Sequence, residues 1–284
     1  MSEYVRIFEV GARDGLQNEK VLIPADQKIK LINMLSDCGF SKVEATAFVS
    51  PKWVPQMGDA EEVMAGIERK PGVDYAVLTP NMKGYERAKA SNASEVAVFG
   101  AATEGFSKAN VNATIEETIE RFLPITEAAA DDGIPVRGYI SCVTDCPYDG
   151  PTPPENVASM AEKLFAAGCY EISLGDTIGQ GTPETIAKML DAVCDVVPAD
   201  KLAGHYHDTS GRAISNIEVS LEKGVRTFDS SVGGLGGCPF APGAAGNVAT
   251  GSVVEMLNSK GFETGIDMER LSAAETFAKS LREG

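Results

Sequence analysis

The chain has only two histidines in 284 residues, His205 and His207, and they stand two positions apart. They lie in the stretch Gly204-His205-Tyr206-His207-Asp208-Thr209, directly after the apolar pair Leu202-Ala203. Residues two apart on a strand point to one face, so both imidazoles would offer a nitrogen to the same space. That arrangement suits a metal ion. Asp14, within Gly11-Ala12-Arg13-Asp14-Gly15, completes a set of one carboxylate and two imidazoles. With its remaining positions open, such a set fits a Lewis-acid divalent ion. Mg2+ or Mn2+ fits if water and substrate oxygens fill the shell; the ligand types also admit zinc.

Glu44 stands between Val43 and Ala45 in an apolar run. A carboxylate buried there needs a cationic partner, and Arg13 is the natural one. Gly233-Gly234-Leu235-Gly236-Gly237 has the composition of a mobile lid, and Cys238 follows at once as an incidental or a reactive thiol. Lys20, Lys52, Lys83 and Lys108 fall after the first four strand-like runs. Together they would give a positive rim for a phosphorylated ligand. Cys142-x3-Cys146 has no second thiol pair at zinc-site spacing, so no zinc site is expected there.

Eight β-rich runs must position these groups: Val5–Val10, Val43–Phe48, Asp74–Leu78, Glu95–Phe99, Val136–Cys142, Glu171–Gly175, Leu202–His207 and Thr227–Val232. Helical patterns separate them. Ala25–Cys38 stops at Gly39, Asp59–Ile67 and Lys83–Ala90 follow the second and third runs, and Thr114–Asp131 opens on the capping-box pattern Thr114-x-x-Glu117. Pro154–Ala167, Pro183–Val196 and Ser210–Lys223 end at Gly168, before Pro198 and at Gly224. Two further helices are expected after Gly246, at Val248–Asn258 and Met268–Leu281, covering the side or bottom of the fold. Strands alternating with helices imply a parallel sheet. Eight such units predict a single (β/α)8 TIM barrel over residues 1–284, with additional C-terminal helices. A doubly wound sheet is less favoured, because no Gly-x-Gly-x-x-Gly follows the first strand. In a barrel, Asp14, Glu44, Asp176, His205, His207 and the glycine-rich stretch all gather at the carboxyl ends of the strands, where active sites sit.

The net charge of −16 argues against nucleic acid or an anionic membrane as partner. No run of about 20 apolar residues is present, so no membrane-spanning helix is expected. The first residues carry no leader pattern, and six scattered cysteines suggest reduced thiols; a cytoplasmic protein is expected.

With those residues in place, the chain closely resembles the 3-hydroxy-3-methylglutaryl-CoA lyase family of TIM-barrel metallolyases over nearly its whole length. The resemblance is carried by residues 9–20, by Phe48-Val49-Ser50-Pro51-Lys52-Trp53-Val54-Pro55-Gln56-Met57 and by Thr79-Pro80-Asn81-Met82-Lys83-Gly84. Gly175-Asp176-Thr177, His205-x-His207-Asp208-Thr209 and the signature loop Gly233-Gly234-Leu235-Gly236-Gly237-Cys238-Pro239 follow in order. It implies a carbon–carbon lyase that cleaves 3-hydroxy-3-methylglutaryl-CoA to acetyl-CoA and acetoacetate, in leucine degradation and ketone-body formation. It implies the metal ligands Asp14, His205, His207 and Asn247. Arg13 would bind the thioester carbonyl, Glu44 and Asp176 match functional carboxylates, Cys238 matches an active-site cysteine, and Lys83 and Asn110 match positions at the CoA portion. An acyl-CoA substrate and a homodimer are the partners implied.

Three departures stand out. Ala47 replaces a serine common in the family, Gly251-Ser252 replaces an acidic pair of animal-type members, and the tail lacks an extra cysteine of some eukaryotic ones. In the expected reaction the ion lowers the pKa of the 3-hydroxyl, and Asp14, His205 or a hydroxide takes its proton. The C2–C3 bond then breaks, Arg13 stabilises the enolate oxygen, and Cys238 or His205 returns a proton to carbon. The alternatives are a lyase for a longer-branched 3-hydroxyglutaryl-CoA, a related aldolase or Claisen condensing enzyme, and a non-catalytic acyl-CoA-binding barrel.

Overall fold

The computed structural model describes residues 3–236 and 245–282. Eight parallel strands close into a barrel: β1 (Arg6–Glu9), β2 (Lys42–Ala47), β3 (Asp74–Leu78), β4 (Glu95–Ala101), β5 (Val136–Ser141), β6 (Glu171–Asp176), β7 (Leu202–Tyr206) and β8 (Thr227–Ser230). Each pairs with its sequence neighbours, and β8 pairs with β1 to shut the ring. All eight coincide with the predicted runs to within one or two residues at either end.

The helices follow as α1 (Ala25–Ser36), α2 (Ala60–Gly66), α3 (Met82–Ala90), α4 (Glu104–Val111), α5 (Ile115–Asp132), α6 (Pro154–Ala166), α7 (Pro183–Cys194), α8 (Ala213–Glu222), α9 (Thr250–Ser259) and α10 (Met268–Ser280). The capping box of α5 is formed: Thr114 Oγ1 accepts from Glu117 N at 3.1 Å, and Glu117 Oε2 accepts from Thr114 N at 2.8 Å. Of the two helices expected after Gly246, α9 completes the eighth unit. The additional one is α10, which seats on α1, where Lys30 Nζ lies 4.3 Å from the centre of the Phe277 ring.

Three local features depart from the sequence reading. The residues after β1, where the sequence predicts no helix, form a single wide helical turn, Gly11–Gly15. The segment holding Lys108 and Asn110 is helix α4, so those two side chains project from a helix. A small antiparallel hairpin, Asp145–Cys146 against Gly150–Pro151, precedes α6.

The apolar core lies between sheet and helices, with residues such as Leu31, Val77, Phe122, Leu164 and Ile217. The space inside the barrel is different. Its apolar part is the small cluster Phe8, Val10 and Ala76, and charged side chains fill much of the rest. Arg137, Glu171, Asp229, Glu44 and Glu95 are all buried, each 2 % exposed or less. Buried charges persist only when paired and hydrogen-bonded; here Arg137 pairs with Glu171 on the adjacent strand and with Asp229 across the barrel, and Lys42 pairs with Glu95. No helix among the described residues is long and apolar enough to cross a membrane.

Candidate metal centre

The turn after β1 is drawn tight by one carbonyl. Val10 O accepts from the backbone N of Arg13, Asp14 and Gly15, at 3.2, 2.8 and 3.2 Å. A side chain at Gly15 would meet Leu235 Cβ and Ser231 Oγ at 2.8 Å, so only glycine lets the turn lie this close to the end of β8. The turn projects Arg13 and Asp14 over the carboxyl end of the barrel.

Arg13 is gripped from both sides. Its Nε donates to Glu44 Oε2 at 2.7 Å, its Nη2 lies 2.6 Å from the same oxygen, and its Nη1 donates to Asp14 Oδ1 at 2.7 Å. The guanidinium also stands 5.7 Å from the centre of the Tyr139 ring. The ion pair expected from sequence is therefore present. Burial raises the Glu44 pKa above the usual carboxylate range, opposed by the Arg13 charge. Asp14 goes the other way. Burial alone would raise it, but Arg13, His205 and a hydrogen bond from Asn247 together bring it down to about 2.

Opposite the turn, β7 carries the histidine pair. His205 lies on the strand, while His207 lies one residue beyond its end rather than within it. The backbone nevertheless stays extended, because His207 bridges to Asn247 in an isolated antiparallel contact, and Asp208 N donates to Gly246 O at 2.6 Å. The two rings share one space, with centroids 5.5 Å apart. Asp14, His205 and His207 each bring a ligand atom into a group whose members lie within 4.8 Å of one another. It is the one such histidine, cysteine or carboxylate group among the described residues. His207 Nδ1 is buried without a hydrogen-bond partner. A buried unpaired nitrogen on a ring of this cluster fits a site for a bound cation. Burial and the neighbouring His205 lower the His207 pKa to about 4, which keeps the ring neutral and able to ligate.

Asn247 completes the wall. Its Nδ2 donates to Asp14 Oδ2 at 2.7 Å. The resemblance, and no spacing rule, had pointed to this residue; the contact with His207 and Asp14 is its structural counterpart.

Other expected residues sit apart from the cluster. Asp176 ends β6 and is buried, but its oxygens are occupied locally. It accepts from Thr144 Oγ1 at 2.9 Å, from Gln180 N at 3.2 Å and from Gly181 N at 2.9 Å. It shapes the β6–α7 loop. Lys83, on the first turn of α3, and Asn110, near the end of α4, are exposed. Both helices follow strands whose carboxyl ends open on the same face as the cluster. Register on β2 breaks between Glu44 and Thr46; Thr46 Oγ1 turns to Met57 Sδ at 3.7 Å, so alternation returns Ala47 to the barrel side. Cys238 lies outside the described residues. Of the described residues before and after it, a side chain at Gly236 would stand 3.0 Å from Asn247 Nδ2, and Ala245 O accepts from Thr209 Oγ1 at 2.8 Å.

Two residues were missed. Asp229 on β8 lies in register with His205, and the two meet at 3.1 Å between Asp229 Oδ2 and His205 Nδ1. Arg137 on β5 binds the same carboxylate through two nitrogens, Nη1 to Oδ2 at 3.0 Å and Nη2 to Oδ1 at 2.7 Å. The available signal was a charge inside each of two strand-like apolar runs.

Comparison with known proteins places this geometry in a family. The HMGL-like family profile matches residues 4–277. The chain is similar to the mitochondrial hydroxymethylglutaryl-CoA lyase of Gallus gallus, 55 % identical over 273 residues, covering 96 % of this chain and 92 % of that one. A crystal structure of the HMG-CoA lyase from Brucella melitensis superposes with a TM-score of 0.99 at 64 % identity, covering both chains fully. An HMG-CoA lyase from Acinetobacter baumannii in complex with coenzyme A and 3-methylmalate superposes with a TM-score of 0.93 at 36 % identity, over 99 % of this chain and 92 % of that one.

Proposed function

This chain belongs to the HMGL-like family, and from that membership and the cluster of Asp14, His205 and His207 we propose that it is a divalent-metal-dependent lyase cleaving 3-hydroxy-3-methylglutaryl-CoA to acetyl-CoA and acetoacetate. The observation that carries the reading is the cluster itself, standing at the strand ends beside the fixed guanidinium of Arg13. Asp14, His205, His207 and Asn247 are the residues that would hold Mg2+ or Mn2+. When bound, such an ion supplies Lewis-acid activation of the substrate's 3-hydroxyl.

The chain's own residues do the rest. The 3-hydroxyl proton passes to a base at the cluster: Asp14, a hydroxide, or His205 Nε2 when that nitrogen is not holding the ion. The C2–C3 bond then breaks: C3 becomes the ketone carbon of acetoacetate, and the bonding pair moves to C2 to form the enolate of acetyl-CoA. Arg13 meets the charge that builds on the thioester oxygen, and Glu44 and Asp14 keep its guanidinium aimed before substrate arrives. A proton returned to C2 completes the turnover. Cys238 is the proposed donor, since a thiol with an ordinary pKa near 8.5 is a workable acid toward carbon. Asp176 supports the neighbouring loop, and Lys83 and Asn110 are the proposed contacts for the CoA portion, on a face where exposed lysines offset a strongly acidic chain.

The reading extends to one catalytic domain acting as a homodimer in the cytoplasm, in leucine degradation. Relatives of similar identity bear both cytoplasmic and mitochondrial names. A coupled assay for acetoacetate, with Mg2+ or Mn2+ and again with a chelator, tests the function. Metal-dependent release of both products is the expected result; no cleavage at saturating metal overturns it.

A further inference from the structure

The ring of His205 is held from behind by a chain of charges running through the barrel interior. Arg6 Nη1 stands 3.6 Å from Glu171 Oε2, and Glu171 Oε1 accepts from Arg137 Nε at 2.8 Å. Arg137 is fully buried, with its guanidinium 4.1 Å from the Phe8 ring centre and its Nη1 donating to Tyr139 OH at 3.0 Å. It then clamps both oxygens of Asp229, and Ser173 Oγ donates to Asp229 Oδ2 at 2.8 Å. Asp229 Oδ2 is also the atom that meets His205 Nδ1.

Direction follows from counting donors. A carboxylate held by two guanidinium nitrogens and a hydroxyl has only acceptor capacity left to offer. The hydrogen between His205 and Asp229 therefore belongs to Nδ1. In the neutral ring that leaves the Nε2 lone pair free, and Nε2 is the atom that faces Asp14, 3.9 Å from Oδ2. We propose that Asp229 and Arg137 are positioning residues: Arg137 orients Asp229, and Asp229 holds His205 in the Nδ1–H tautomer with Nε2 presented to the cluster. Carboxylates behind metal-binding histidines act this way elsewhere, and losing one typically weakens metal binding 10–100-fold. The proposal rests on reading the cluster as a metal centre.

The test uses the whole protein and two readouts besides turnover. Only two histidines are present, so a long-range 1H–15N spectrum shows four ring nitrogens, assigned with a His207→Gln variant. Burial favours the neutral ring, but Asp229 and Asp14 together move the His205 pKa upward, so the spectrum is taken at a pH raised until its ring is neutral; His205 should then appear with Nδ1 protonated and Nε2 bare. An Nε2-protonated His205 overturns the proposal. The second readout is Mn2+ affinity by calorimetry. Asp229→Asn should bind Mn2+ on the order of 10–100-fold more weakly than the parent. Arg137→Met should also weaken it, with Arg137→Lys recovering part of the loss. Parental affinity in a folded Asp229→Asn protein overturns the proposal. If that variant does not fold, the spectrum of the parent protein decides. If the parent protein itself binds no Mn2+, the metal-centre reading fails first, and this assignment of roles with it. Absence of lyase activity alongside normal Mn2+ binding and an Nδ1–H ring would overturn only the proposed reaction.

Discussion

Asn247 and Asp14, 233 residues apart in sequence, are joined by a 2.7 Å hydrogen bond from Asn247 Nδ2 to Asp14 Oδ2. The amide therefore acts as a donor toward the carboxylate, and half a turn of the amide would instead present its oxygen. The amide satisfies the one Asp14 oxygen that Arg13 does not hold, since Arg13 Nη1 donates to Oδ1.

Replacing Asn247 with Asp should make that contact depend on metal. Two carboxylates at hydrogen-bond distance repel in the absence of a cation. Metal-free Asn247→Asp should melt below the parent protein, and saturating Mg2+ should raise its Tm by more than it raises the parent's. Scanning calorimetry with and without Mg2+ reads both quantities. Equal Mg2+ shifts in the two proteins would remove Asn247 from the proposed ligand set.

Glu9 predicts a pH dependence away from the cluster. It is fully buried at the end of β1, and its oxygens accept from Gly11 N and Val232 N at 2.8 Å and from Thr250 Oγ1 at 2.6 Å. Burial raises its pKa to about 7 from an ordinary 4.5, despite those hydrogen bonds, and Glu275 adds like charge. The folded state then holds a proton that the unfolded state has released. The stabilisation is complete below about pH 4.5 and is lost as pH rises through about 7, at a slope near 1 kcal/mol per pH unit. Glu9→Gln should flatten that part of the stability profile, and denaturant melts from pH 5 to 8 will show it. A variant with the parental slope would place the titration elsewhere.

Why some of this was legible in the chain and some was not follows from how each contact is encoded. His205 and His207 needed only the two-residue period of a strand, and the strand runs themselves are dense in β-branched and apolar residues. Asp14 is legible because it follows such a run closely, in the turn Gly11–Gly15. Helix α4 escaped because it is one short segment with Gly105, Ser107 and Asn110 in it; it is fixed by outside contacts such as Asp149 Oδ2 accepting from Gly105 N at 2.7 Å. Asp229 and Arg137 escaped for a different reason. They are 92 residues apart, and nothing local pairs them; only barrel closure brings β5 and β8 side chains into one interior. A lone charge within each apolar run signalled that a partner must exist without saying which.

Glu44 is expected to act through Arg13. Its Oε2 receives two guanidinium nitrogens, while Oε1 is buried without a partner. Glu44→Gln keeps one acceptor but removes the charge that fixes Arg13. Turnover should fall about 10–100-fold, on the scale of misaimed electrostatic groups, with Mn2+ affinity close to parental. A comparable loss of Mn2+ affinity would instead make Glu44 part of the metal centre.

The last prediction concerns the thiol. Cys238→Ser keeps the size of the side chain and replaces an acid of ordinary pKa near 8.5 with an alcohol that gives up a proton far less readily. If the thiol protonates the enolate carbon, turnover should fall by orders of magnitude while Mn2+ binding and the apparent affinity for acyl-CoA stay near parental. Asp14→Ala, by contrast, should lose Mn2+ binding and activity together, since Asp14 carries the only carboxylate of the described cluster. Measuring Mn2+ affinity and acetoacetate release for both variants separates the two roles. Near-parental turnover in Cys238→Ser would exclude the thiol from the chemistry, and metal-saturated activity in Asp14→Ala would exclude the carboxylate as a ligand.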